Sequence, residues 1–466
     1  MASTYLTAGT MGSVTNRKKF TISFWIKRGS LGEEYMWQSY NASSLTSYRL
    51  QIDFQSDDKF EIRGVDGNTM HTRLVTNREF KDTNAWYHIY CSFDSTQGTA
   101  SDRVKIYVNG EQQTSLATST YPNQNVDFAV GVDGSINYTL DIGRWGGGSN
   151  YWSGSMSHFY YVDGSVIAHT QFGSTDTTTG EWKINTNPTI ASYGNKGFLV
   201  LKDGNTVTDQ SPNSNNLTVG GGTLTKTEDN PSNVFDTLNA NISQTAGVGG
   251  RDSSARPFLE YGNTVSSTDV AIWTPQIGSI PITSGKYYFE MKRAYAGSPS
   301  NHLAWVGIES TATAGTSLGS PSGTNTNAIA YYSEGSVNKS NVNQSGSWST
   351  WTSNNDIVQV AIDLDNYFIY FGKNGVWQNS GNPESGGSGT GGIAIVASQS
   401  YISACTVHRG GGSSGGSKTW VQLNYGNGYF AENALSSAGT NASGNGIFEY
   451  DVPAGFTAIS TKGLNL

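Results

Sequence analysis

The sequence is short of charge. Lys, Arg, Asp and Glu make up 14% of its 466 residues, against about a quarter in ordinary globular chains. The basic residues are scattered rather than blocked, and the formal net charge is −8. Phosphate backbones are held by concentrated basic faces, so nucleic acid is excluded as the main partner. Long apolar runs are missing as well. No stretch approaches the roughly 20 apolar residues of a membrane helix, so membrane insertion is not expected. The N-terminal stretch through Arg28 has no apolar core of the signal-peptide type. A protein of this kind working outside a cell is expected to be released by something other than secretion. Only two cysteines occur, Cys91 and Cys405, each inside a strand-like run (HIYCSF and ISACTV). Both are expected to be buried free thiols. No Cys/His spacing offers a zinc site, and no helical period persists for a dozen residues.

What the chain does have is 57 glycines and 12% aromatic residues, with abundant Ser, Thr and Asn. That aromatic content excludes a disordered chain. Glycine-rich, aromatic-rich and helix-poor composition suits many short strands joined by tight turns. The run Phe20 to Arg28 alternates cleanly, with Phe20, Ile22, Phe24 and Ile26 on one side. The stretch Asp356 to Trp377 reads as two strands, one alternating at Val358, Val360, Ile362 and Leu364, the other at Tyr367, Ile369 and Phe371. Asp365-Asn366, Asn374-Gly375 and, in the first half, Asn109-Gly110 supply turn chemistry. Short strands at this spacing predict β-sandwiches. The length allows two or three domains, and composition turns to Asn, Ser, Thr, Ala and Gly from Asn230.

Ordered segments carry a resemblance in each half. FTISFWIKR, WYHIYCSFD, RVKIYVNG, LDIGRW and YWSGSMSHFYYVDG follow the order seen in laminin-G-like and concanavalin-A-like jelly rolls. Phe172-Gly173, Trp182, Gly197-Phe198 and EDNPSNVFDTLN resemble such modules and their junction in bacteriophage proteins. In the second half, SGKYYFEMK, VGIES, DIVQVAIDLDNYFIYFGKNGVW and VQLNYGNGYF resemble a SPRY (B30.2-type) sandwich. The last stretch, GIFEYDVPAGFTAISTKGLNL, resembles the C-termini of phage virion proteins. These resemblances imply an all-β chain of two antiparallel β-sandwich (jelly-roll) domains in tandem. Residues 1–229 would form the first. Residues 230–255 would be a linker or the next domain's first strand, 256–445 the second sandwich, and 446–466 a tail packing on it or on a neighbour.

Catalytic chemistry is hard to place. Laminarinase-type jelly rolls use carboxylates alternating on one strand in a Glu-x-Asp-x-x-Glu pattern. Nothing here matches; Gln51-Ile52-Asp53-Phe54 lacks the glutamates. Asp363 and Asp365 read as turn chemistry. The six histidines are scattered and expected to be structural. There is no phosphate-binding loop, dinucleotide fingerprint or EF-hand loop. The protein is therefore expected not to be an enzyme and to need no cofactor. Calcium occurs in laminin-G-like folds, but no Asp/Asn spacing singles out a site. Sugar binding fits better, because pyranose C–H faces stack on exposed rings while polar groups bond the hydroxyls. The loop GRWGGGSNYWSG offers Trp145 and Tyr151, with Trp152 expected to point inward. SGSWSTWTSNND offers Trp348 and Trp351.

The resemblances imply a phage virion structural protein, a tail-fibre-like or capsid-associated appendage touching host-surface glycans during adsorption. It would be made in the host cytoplasm, released by lysis, and present in the virion as a homo-oligomer, with a trimer favoured, among other virion proteins. A purely architectural capsid cement or tail component is one alternative. A glycan-degrading depolymerase on a jelly roll is the other.

Overall fold

Alternating apolar residues bury one side of a strand, and a two-sheet sandwich results when two such sides meet. The computed structural model describes residues 3–83, 85–202, 206–239, 258–260, 264–266, 273–295, 302–312, 328–340, 342–409, 419–431 and 433–465. The chain divides into two compact units. One is Met1–Lys226 with Asn230–Ser232, the other Thr227–Asp229 with Asn233–Leu466. Both are antiparallel β-sandwiches, as the alternation predicted, and the short helices among the described residues are 3₁₀ turns.

The first unit opens with eight strands: β1 (Tyr5–Thr10), β2 (Lys19–Arg28), β3 (Glu34–Tyr40), β4 (Arg49–Phe54), β5 (Lys59–Asp66), β6 (Thr69–Glu79), β7 (Trp86–Asp94) and β8 (Val104–Val108). An eight-stranded sheet runs in the order Leu116–Thr120, β6, β5, β4, β3, Thr139–Ile142, β1 and Thr218–Gly221. A six-stranded sheet runs Phe198–Val200, Gly154–Asp163, β2, β7, β8 and Glu111–Gln112. Phe20, Ile22, Phe24 and Ile26 of β2 meet Trp37, Leu50, Ile52 and Ile62 of the larger sheet in one core. The outer side of the six-stranded sheet is covered by a second aromatic cluster, Tyr90, Tyr160, Phe172 and Leu199.

Among the described residues, the second unit pairs a nine-stranded sheet with a six-stranded one around a core of 35 buried residues. Ile357–Asp363 and Phe368–Lys373 pair as a hairpin from Val358↔Lys373 to Asp363↔Phe368. At its end Asn374 and Gly375 adopt φ 47° and 84°, and in the first unit Asn109 and Gly110 adopt φ 49° and 78°. Two successive positive φ values match the twist of the flanking strands, which is why Asn-Gly recurs there. Asp363 accepts from the amides of Asp365 and Asn366 and pairs with Lys286 Nζ at 3.0 Å, so it closes a turn.

Within the segment 230–255, residues 233–239 run into the second unit. Phe235 and Leu238 join its core, and Asp236 accepts from the amides of Ser279 and Ile280 and from Ser403 Oγ. Residues 240–255 lie outside the described residues. Toward the C-terminus, Phe448, Val452, Phe456 and Ile459 enter the same core, and Thr457–Ala458 pairs in parallel with Lys286–Tyr295.

Candidate functional site

Since apolar residues of β3 to β6 point to the core, their alternates form the outer side of the eight-stranded sheet. Strand register turns them into a ladder. Asp141 stands opposite Gln38, Gln38 opposite Gln51, Gln51 opposite Arg63, and Arg63 opposite Arg73. The adjoining rank is Tyr35, Asp53, Glu61 and Val75. Five strands thus align planar amides, carboxylates and guanidinium groups on one side of the sheet; the amides and carboxylates are buried, and the Arg63 and Arg73 side chains stay partly exposed.

The two ends of the ladder differ. At one end the loop after Ile142 lies on it. Gly146 N donates to Gln38 Oε1 at 2.6 Å, and a Cβ at Gly146 would come within 2.6 Å of the Tyr40 ring. Only glycine lets the loop approach so closely. Asp141 Oδ2 accepts from Tyr40 Oη and Arg144 Nε, both at 2.8 Å, while Asp141 Oδ1 and Gln38 Nε2 are buried without a hydrogen-bond partner. Toward the other end, Glu61 pairs with Arg73 Nε at 2.7 Å and with Arg63 Nη2 at 2.9 Å. The Glu61 side chain is 1% exposed, whereas Arg63 and Arg73 are 27% and 32% exposed. Asp53 sits opposite Glu61 and accepts from Gln51 Nε2 at 2.9 Å. Burial, and then the Glu61 carboxylate beside it, push the Asp53 carboxyl well above the usual carboxylate range.

Trp145 and Tyr151 flank this face on the loop. Both are half-buried. Trp145 folds back over Gly147, whose Cβ would meet its ring, and Tyr151 packs 6.3 Å from Tyr5. Trp152 points into the core, as expected. The second pair of rings lies in the other unit and fares differently. Trp351 is 0% exposed, packed in the core against Tyr331, so it is not a stacking platform. SGSWSTWTSNND reads as an exposed loop, and no period in SWSTW marks which ring turns inward; Trp351 turns into the core. Trp348 is half-buried and caps the same core through Tyr331 and Phe371, at 5.9 and 6.4 Å.

The molecule also holds a Ser–His contact. Ser23 Oγ lies 2.9 Å from His88 Nε2, but Trp182 Nε1 donates to His88 Nδ1 at 3.0 Å. An indole N–H can only donate, so Nδ1 is the acceptor and Nε2 carries the hydrogen. His88 therefore donates toward Ser23 and cannot take its proton. Burial lowers the His88 pKa to about 3, which keeps the ring neutral between Trp25 and Trp182. Among the described residues, no group of three or more His, Cys, Asp or Glu could hold a metal ion.

The ladder was not legible beforehand. Gln51-Ile52-Asp53-Phe54 shows its alternation, but a cross-strand rank depends on register between segments up to a hundred residues apart.

Comparison with known proteins agrees with the first sandwich. Residues 1–166 match the family model described as the concanavalin A-like lectin/glucanases superfamily. No curated protein matches. Among solved structures, the SPRY domain of human HERC1 is similar at 15% identity, covering 36% of this chain and 91% of that one, with a TM-score of 0.27. A heptameric SAP-like pentraxin from Limulus polyphemus is similar at 15% identity, covering 43% of this chain and 90% of that one, with a TM-score of 0.28. Domains LG4-5 of the mouse laminin alpha1 chain are similar at 7% identity, covering 90% of this chain and 85% of that one, with a TM-score of 0.26.

Proposed function

We propose that this chain is a glycan-recognising virion protein, a tail-fibre-like or capsid-associated appendage of a bacteriophage, and that its first sandwich holds the sugar. The observation that carries the glycan reading is the ladder Asp141–Gln38–Gln51–Arg63–Arg73 with Trp145 at its flank. The amides and carboxylates of the ladder are buried. The groups offered to a sugar are therefore the partly exposed guanidinium donors of Arg63 and Arg73, which suit hydroxyls, and the half-buried Trp145 indole, which suits the C–H face of the ring. The family model over residues 1–166 supports the same reading. The virion part is supported by the resemblance of EDNPSNVFDTLN and of the C-terminal stretch to phage proteins. Weak single sites would act together through several copies on a particle, a trimer being the favoured unit.

Recognition without hydrolysis is the reading that the carboxylates favour. Asp53 and Glu61 stand opposite each other, close enough in principle for acid–nucleophile work. Yet both Glu61 oxygens are ion-paired, Oε1 to Arg73 and Oε2 to Arg63. A carboxylate tied up in this way is a poor nucleophile. The full chain should bind host cells and compete with particle adsorption. Absence of competition at saturating protein would sink the adhesin reading and leave an architectural component. Loss of polysaccharide viscosity on incubation would restore the depolymerase.

A further inference from the structure

Three arginines meet on the solvent side of β4, β5 and β6. Arg63 and Arg73 are direct cross-strand partners, and Arg49 lies two residues from Gln51, the other partner of Arg63. Like charges placed opposite each other destabilise a sheet unless something offsets them. Here Glu61 touches two of the three guanidinium groups. Arg49 instead bonds Gln51 Oε1 and the carbonyls of Leu45 and Thr46, at 2.6, 3.3 and 2.6 Å. Burial and then the Arg63 charge pull Arg49 below its ordinary value, whereas at Arg63 burial is outweighed by Glu61 and Asp53, which raise it. The nearby acids do not reach solvent equally. Asp53 and Glu61 are buried beneath the arginines, and the exposed Glu33 sits beyond Tyr35, which donates to it at 3.3 Å. What an approaching ligand meets on β5 and β6 is therefore the guanidinium groups of Arg63 and Arg73. These partly exposed guanidinium groups stand on a chain whose net charge is −8.

We infer that the sugar taken by this face is anionic, and that its carboxylate or sulfate group sits across Arg49, Arg63 and Arg73. The inference rests on the glycan reading above and narrows it to a class of ligand. Guanidinium forks match both oxyanions by paired hydrogen bonds. An anion there meets guanidinium groups that stay partly exposed while paired to the buried Glu61.

Affinity electrophoresis of the full chain tests this, with gels containing alginate (a polyuronate), dextran sulfate or neutral dextran. Alginate or dextran sulfate should retard the protein, neutral dextran should not, and added salt should weaken the retardation. Whichever of the two retards more identifies carboxylate or sulfate as the natural group. The double variant Arg49→Gln/Arg73→Gln, checked for an unchanged melting transition, should bind at least about tenfold more weakly. Glu61→Gln should move the other way, binding about two- to fivefold more tightly, because it unmasks positive charge. A purely structural ion-pair network would not produce that gain. Retardation by neutral dextran equal to that by alginate and dextran sulfate, unmoved by the arginine variants, would overturn the inference and leave glycan recognition standing. No retardation in any gel would overturn both.

Discussion

Each sandwich carries a polar rank on the outer side of its larger sheet, and the two ranks end differently. In the second unit the rank is Asn424, Glu290 and Gln359, aligned by register. The chain's own C-terminal stretch closes it. Glu290 accepts from the amides of Glu449 and Tyr450 at 2.9 and 2.8 Å, from Tyr288 Oη at 2.9 Å and from Asn424 Nδ2 at 3.4 Å. Phe448 packs edge-on against Tyr288 at 4.9 Å. In the first unit no such peptide among the described residues completes the rank at Arg63 and Arg73, whose side chains stay partly exposed. A buried carboxylate with four donors is a structural anchor, whereas Arg63 and Arg73 pair with Glu61 and still stay partly exposed. The proposed binding belongs to the first sandwich, and the second uses its rank for cohesion.

The largest effect should come from Trp351→Ala. Removing a fully buried indole costs about 3–5 kcal/mol. Calorimetry should then show the transition of the second unit displaced or lost while that of the first is unmoved. Sugar binding that disappears along with it would break the comparison.

Glu290→Gln is expected to act next most strongly. An amide cannot accept from every donor that a carboxylate served, and an orphaned buried donor costs about 1–3 kcal/mol. Limited proteolysis should then release the C-terminal stretch first. The pH dependence has a definite sign. Burial raises Glu290 from its ordinary 4.5 to about 7, outweighing the donors that favour the charged form. The folded state thus prefers the protonated group. Its contribution is complete below about pH 4.5 and is lost as pH rises through about 7. Wild-type protein should therefore lose stability in the second unit between those values, and Glu290→Gln should flatten that slope. A slope that survives the substitution would assign the effect elsewhere.

Trp145→Ala should leave melting almost unchanged and weaken sugar binding by about tenfold, near 1.4 kcal/mol. Loss of folding would instead make the ring part of the first core. The smallest native-state signal concerns the thiols. Burial pushes both Cys91 and Cys405 far above the usual thiol range, so neither should alkylate in the folded protein. Pulsed alkylation during denaturation would then report which sandwich opens first, since each holds one thiol.

Much of this architecture was determined by the sequence itself. Period-two alternation in FTISFWIKR and IVQVAID, together with the paired Asn-Gly turns, dictates strands and hairpins through local sterics and burial alone. The absence of a helical period leaves no other fold class. Trp152 as a core residue was legible for the same reason. Tertiary structure decided the rest. Trp351 became core because a loop tucked it beneath a sheet end, a placement that no local spacing encodes. The ladder from Asp141 to Arg73 exists only because strands distant in sequence settle into one register. The same register sets two arginines opposite each other above a single buried glutamate, the arrangement on which the proposed anionic site rests.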